Sequence, residues 1–265
     1  MVNSSNVGRI FYGIAMFGMG FQTIYQRDFL YMFIPAEHSR IPGLALIACI
    51  FGAVLMLASA SIVLVKKIWT SALLLGSLLL LIFCFYFVPY EFFSTSNYMH
   101  LGEWENAIKE LALSSGAFVI GERFISNNGH ALPRYILRLL PFGATLFGLT
   151  ILSFGINHFV YAKEAAGYVP SWIPNPIFWI YFAGAALIGA SVAIIMREKI
   201  RLFAFLLGAM VFTWFIILHI PKVIGASNAD DRAGEITSAF LALAYCGIAF
   251  VIAGKRPETP PVRAV

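Results

Sequence analysis

Charge is scarce in this sequence. Only 12% of its residues are Asp, Glu, Lys or Arg, against 60% hydrophobic residues, and the mean hydropathy is +0.83. A chain so poor in solvating groups carries more apolar matter than one water-soluble core can enclose, which excludes an ordinary soluble domain and points to an integral membrane protein. Cysteine is scarce too: Cys49, Cys84 and Cys246 each stand alone in an apolar run, and none belongs to a CxxC. Thiol–disulfide exchange needs two sulfurs in reach, one of them a solvated thiolate, so these three read as small buried hydrophobes. The five histidines, His38, His100, His130, His158 and His219, include no pair one helical turn apart, the spacing a haem or helical metal site requires. There is no GxGxxG, P-loop, HExxH or GxSxG motif. Nor does any acidic or basic residue fall near the middle of a long apolar run, which weighs against an ion-coupled pump.

What the chain has is apolar runs near the roughly 20 residues that cross a bilayer as helix. They lack strand alternation, and inside hydrocarbon only helices and closed barrels satisfy their own backbone. Spans are expected at about residues 9–25, 44–65, 68–90, 106–121, 139–161, 177–196, 200–220 and 234–253. The fourth is short, with Lys109 and Glu110 in its first turn.

These spans fall into two similar sets. Residues 155–170 (GINHFVYAKEAAGYVP) have a counterpart in residues 20–35 (GFQTIYQRDFLYMFIP). Both begin with Gly as an apolar run ends, place a polar pair two residues on (Gln22-Thr23, Asn157-His158), and close on Pro. Lys67-Ile68, Ala72, Leu74-Leu75-Gly76 and Pro89 are answered at one constant shift by Lys199-Ile200, Ala204, Leu206-Leu207-Gly208 and Pro221, and Gly116 answers Gly247. The reading is therefore a half-chain repeat. The fold class is all-α, a polytopic membrane protein with eight transmembrane helices as two parallel four-helix bundles. The first repeat covers residues 1–121, a cytoplasmic linker loop 122–138, the second repeat 139–254 and a disordered tail 255–265.

Lys and Arg set the orientation. One side carries Arg9, Lys66, Lys67, Arg123, Arg134, Arg138, Arg197, Lys199, Arg201, Lys255, Arg256 and Arg263; the other carries Arg27, Arg40, Lys109, Lys163, Lys222 and Arg232. The first side is expected to be cytoplasmic and to hold both termini. The N-terminus shows no removable signal peptide, so the first span is expected to act as the insertion signal. The net charge of +5 then follows from topology, with some attraction to anionic lipid, and nothing suggests nucleic acid.

Polar residues gather at the outer ends of the spans. Ionisable groups at the edge of hydrocarbon default to a functional hypothesis, against the alternative of plain interface anchoring. In the second half these are Asn157, His158, Lys163, Glu164, His219, Lys222 and Glu235, with His158 and His219 ending spans on one side. The nearby segment 169–176 holds three prolines, cannot continue a helix, and is expected to lie over the bundle mouth as a fixed turn.

With those residues in view, the chain resembles the DoxX/DoxD-like family of small four-helix bacterial membrane proteins, present twice. The carrying features are Gly155-Ile-Asn-His158-Phe159, the Val169-Pro170-x-Trp172-Ile-Pro174 turn, the basic hairpin 197–201, His219, and Gly102-Glu-Trp104-Glu-Asn106 leading to Gly116. The first half departs from the pattern at Gln22-Thr23. The resemblance implies a bacterial inner-membrane location and an accessory place beside a quinone-linked oxidoreductase. On that reading Asn157, His158 and His219 hydrogen-bond the head group of a quinone or other small amphiphile. Lys163 and Glu164 line the mouth, and Trp172 covers it. The alternatives are a non-catalytic structural or assembly subunit of a membrane complex and, more weakly, a permeation pathway for small solutes.

Overall fold

A computed structural model describes residues 3–34, 42–64, 67–94, 102–125 and 138–254. Most of the expected linker (126–137), the tail (255–265), and the basic residues Arg40, Lys66, Arg134, Lys255, Arg256 and Arg263 lie outside the described residues. The chain is all-helical. Its long helices among the described residues are α1 (Ser4–Gln26), α2 (Leu44–Val63), α3 (Ile68–Phe93), α4 (Glu105–Phe124), α5 (Phe142–Val160), α6 (Pro176–Met196), α7 (Ile200–Gly225) and α8 (Ala229–Ala253). A short helix, Ala162–Ala166, follows α5.

Six of these, α2, α3 and α5 to α8, are long and apolar enough to cross a membrane. The other two, α1 and α4, carry more polar residues, and burial explains how. Tyr12 is fully buried and its hydroxyl donates to Leu113 O at 2.8 Å, tying α1 to α4. Arg9, also buried, donates from Nη1 to Ile62 O at 2.6 Å and Val63 O at 3.0 Å, capping the carbonyl end of α2 with a cation. On α4, Ser114 donates to Gly76 O of α3 at 2.8 Å. A helix walled in by other helices can carry polar groups, because its partners are protein rather than lipid.

Each helix packs on the next in sequence, and α8 returns to pack on α1, closing the ring. Helices α4 and α8 also touch across the middle. The last helix of each half thus lies on the first helix of the other, α4 on α5 and α8 on α1. Glycine makes the tight crossings. A Cβ on Gly247 would meet Gly8 O at 2.6 Å, one on Gly52 would meet Gly20 O at 2.6 Å, and one on Gly184 would meet Gly155 O at 3.1 Å. Near the mouth end, where α1 finishes and α8 begins, Gln22 donates to Ala233 O at 2.8 Å and accepts from Thr237 Oγ1 at 3.0 Å.

Both α3 and α7 widen into one π turn, Phe83–Phe87 and Phe215–His219. Val88 N–H reaches back to Phe83 O, and Ile220 N–H to Phe215 O. Each turn ends two residues before a proline, Pro89 or Pro221. Proline has no N–H and its ring presses on the carbonyl four residues back, and the wider turn relieves that contact.

The segment after α1 folds inward. Phe29, Leu30, Met32 and Phe33 are all buried, and Phe29 and Phe33 set their rings 5.3 and 5.0 Å from Phe51 of α2. With Phe87 also fully buried, the mouth end of the first half is filled by side chains. The second half has no such plug: Tyr168 and Trp172, in the segment after α5, are 59% and 69% exposed.

Candidate functional site

Where the first half is filled, the second half is hollow. A cavity of about 770 Å³ opens at the mouth end between the start of α4 and helices α5, α6, α7 and α8. Glu105 and Lys109 come from α4, Asn157, His158 and Tyr161 from α5, Leu187 from α6, Trp214 and His219 from α7, and Ser238 and Tyr245 from α8. Tyr31, from the plug of the first half, completes the wall. A wider outer space of about 830 Å³ shares Tyr31, Tyr168, His219 and Ser238 with the inner one and is bordered by Asp230, Asp231 and Glu235.

The walls are mostly aromatic and apolar, with a few fixed polar groups, the usual composition of a small-molecule site. His158 Nδ1 lies 2.7 Å from Phe154 O, and its ring stands 6.2 Å from that of Trp214. The ring of Tyr245 is 5.8 Å from Phe154, and its hydroxyl donates to Lys109 O at 3.5 Å. Lys109 pairs with Glu105 at 2.6 Å one turn away and lies 5.3 Å from the Tyr31 ring centre. At the rim, Lys222 sits 3.8 Å over the Tyr168 ring and 3.5 Å from Glu235, so one cation holds the loop after α5 against α8. Two wall residues carry buried polar atoms with no hydrogen-bond partner, Asn157 Oδ1 and His219 Nδ1. Buried polar groups are nearly always paired; these two are occluded as well as unpartnered, so neither faces the open space directly.

Comparison of the chain with family models, curated proteins and solved structures finds no match.

Of the residues singled out in the sequence, Asn157, His158, Glu164 and His219 all line the cavity. Lys163 and Trp172 do not; both are exposed, and Trp172 stands away from the walls. The rim over the outer space is made instead by Gly167, Tyr168, Val169 and Pro170. Tyr31, Glu105, Lys109, Trp214 and Tyr245 were not anticipated as wall residues. The readable signal for Tyr245 was a lone tyrosine in the apolar stretch of α8; Tyr31 carried none, because it comes from the other half. Glu110, expected in the first turn of the fourth span, is fully buried, and neither of its oxygens has a partner.

Proposed function

We propose that this chain is an inner-membrane protein of eight spans, built as two tandem four-helix units, that holds a quinone or another small amphiphile in the cavity of its second half. The paired π turns ahead of Pro89 and Pro221, and the paired glycine crossings Gly20–Gly52 and Gly155–Gly184, support a duplicated unit. The two units share the seams α1–α8 and α4–α5. Kinship with the DoxX/DoxD-like family and cytoplasmic termini belong to the same reading. So does a membrane redox enzyme as the partner that such a carrier assists.

One observation carries the ligand-holding role: an aromatic cavity bordered by His158 and His219 occupies the place that the first half fills with Phe29, Phe33 and Phe87. A protein needing only mass there has the plug as a ready solution. The test is thermal unfolding of the full-length, detergent-purified chain against quinones of short and long tail. A ligand that binds only the folded state raises its apparent stability. A saturable upward shift, lost in the double variant His158→Phe/His219→Phe, is the expected result. A flat response of the unsubstituted protein to quinones and alkylphenols alike overturns the reading and leaves a structural or assembly subunit.

A further inference from the structure

Taking the cavity as a ligand site, as proposed above, we infer that its preferred occupant is an amphiphile whose aromatic head carries a hydrogen-donating hydroxyl, an alkylphenol or hydroquinone, rather than a head that can only accept.

The hydrogen bonds of the walls decide the direction. His158 Nδ1 lies 2.7 Å from Phe154 O, and a carbonyl only accepts, so the ring proton resides on Nδ1. In the neutral imidazole the other nitrogen, Nε2, is then an acceptor. Among the described residues no donor reaches it, and the Glu105 carboxylate acts on the ring only from a distance, outside hydrogen-bond reach. It is not among the occluded unpartnered atoms either, so it retains access to open space.

Three of the donors nearby are committed elsewhere. The Tyr245 hydroxyl donates to Lys109 O, and the Tyr31 hydroxyl is shared with Ser238 Oγ at 3.4 Å. The Lys109 ammonium holds Glu105 and Asn106 Oδ1, at 2.6 and 3.3 Å. A bare carbonyl leaves His158 Nε2 empty. A hydroxyl fills it and still offers its own lone pairs to the Asn157 amide or the His219 ring. The rings of Phe154, Trp214 and Tyr245 supply flat walls for an aromatic head, and Leu187 and Met210 receive an alkyl tail.

The experiment compares 4-hexylphenol with 4-hexylanisole, its methyl ether, by equilibrium binding to the full-length chain, beside the quinone panel. The two differ by one hydrogen-bond donor and by the ether's added methyl group, whose burial favours the ether. The phenol is expected to bind about tenfold tighter, the order of one buried hydrogen bond. In His158→Phe that preference should vanish while ether binding persists, which also certifies the fold of the variant. Equal affinities in the unsubstituted protein, or a preference that survives His158→Phe, overturn the inference and leave the ligand-holding reading intact. No binding by phenol, ether or quinone overturns the reading itself. Should His158→Phe not fold, the comparison in the unsubstituted protein decides alone.

Discussion

Replacing Gly247 with alanine tests whether the two halves interlock. Ala is favoured over Gly inside a helix by about 1 kcal/mol, so a site with free space should gain up to that amount. Gly189 is such a site: an added Cβ meets nothing within 4 Å. At Gly247 the added carbon would lie 2.6 Å from Gly8 O and 2.7 Å from Tyr12 N. Both are backbone atoms of α1, which no side-chain rotation can clear. Helix α1 is also fastened on its other side, by Arg9 to the end of α2 and by Tyr12 to α4. Overpacking in a well-filled interior costs typically ~1–3 kcal/mol, and an immovable obstacle puts Gly247→Ala in the upper part of that range. After the propensity gain the net loss is about 1–2 kcal/mol, so the two alanine variants should differ by about 2–3 kcal/mol in opposite directions. Reversible unfolding of the full chain in mixed detergent, followed by far-ultraviolet circular dichroism, measures both. A Gly247→Ala protein as stable as Gly189→Ala would refute the α1–α8 seam, and with it the closed ring.

Two further substitutions separate structure from ligand. Glu110→Leu removes a buried carboxyl whose oxygens have no partner and installs the residue type that α8 carries at the matching place, Leu241. It should stabilise the fold by about 1–3 kcal/mol in the same unfolding assay, and a loss of stability would refute the account of Glu110 as an unpaired group. His219→Phe copies Phe87, which ends the equivalent π turn and is fully buried. The variant should unfold within a few degrees of the parent yet lose the quinone-dependent shift, and retention of the full shift would remove His219 from the site.

Much of the fold was legible because membrane helices announce themselves by length and composition. The runs at 44–65, 177–196 and 200–220 became α2, α6 and α7 within a few residues. The meeting of His158 and His219 was also readable, since both end helices on one side. What escaped was the asymmetry between the halves, although it was written in the matched segments. Where the first has Phe29, Leu30, Met32 and Phe33, the second has Glu164, Ala165, Gly167 and Tyr168. Shared spacing suggested shared structure, but apolar side chains drive one segment into the bundle, while polar and small ones leave the other outside. Trp172 was expected as a lid because of its size and its prolines. Nothing in the sequence told that Lys222 would instead hold Tyr168, since that pairing depends on where a helix points after an irregular turn.

That irregular turn has a consequence best put as counting. In α7, Ile220 N–H reaches five residues back to Phe215 O, so the helix houses one residue more than regular winding over the same rise would take. Each residue of an α-helix turns the chain by about 100°, so everything beyond the turn faces a direction set by that surplus. Lys222 lies beyond it. Winding the same residues as a regular α-helix would advance Lys222 by about 100° and swing it away from both Tyr168 and Glu235. The closure of this cavity therefore depends on the extra residue being taken up within the turn, which the ring of Pro221 favours.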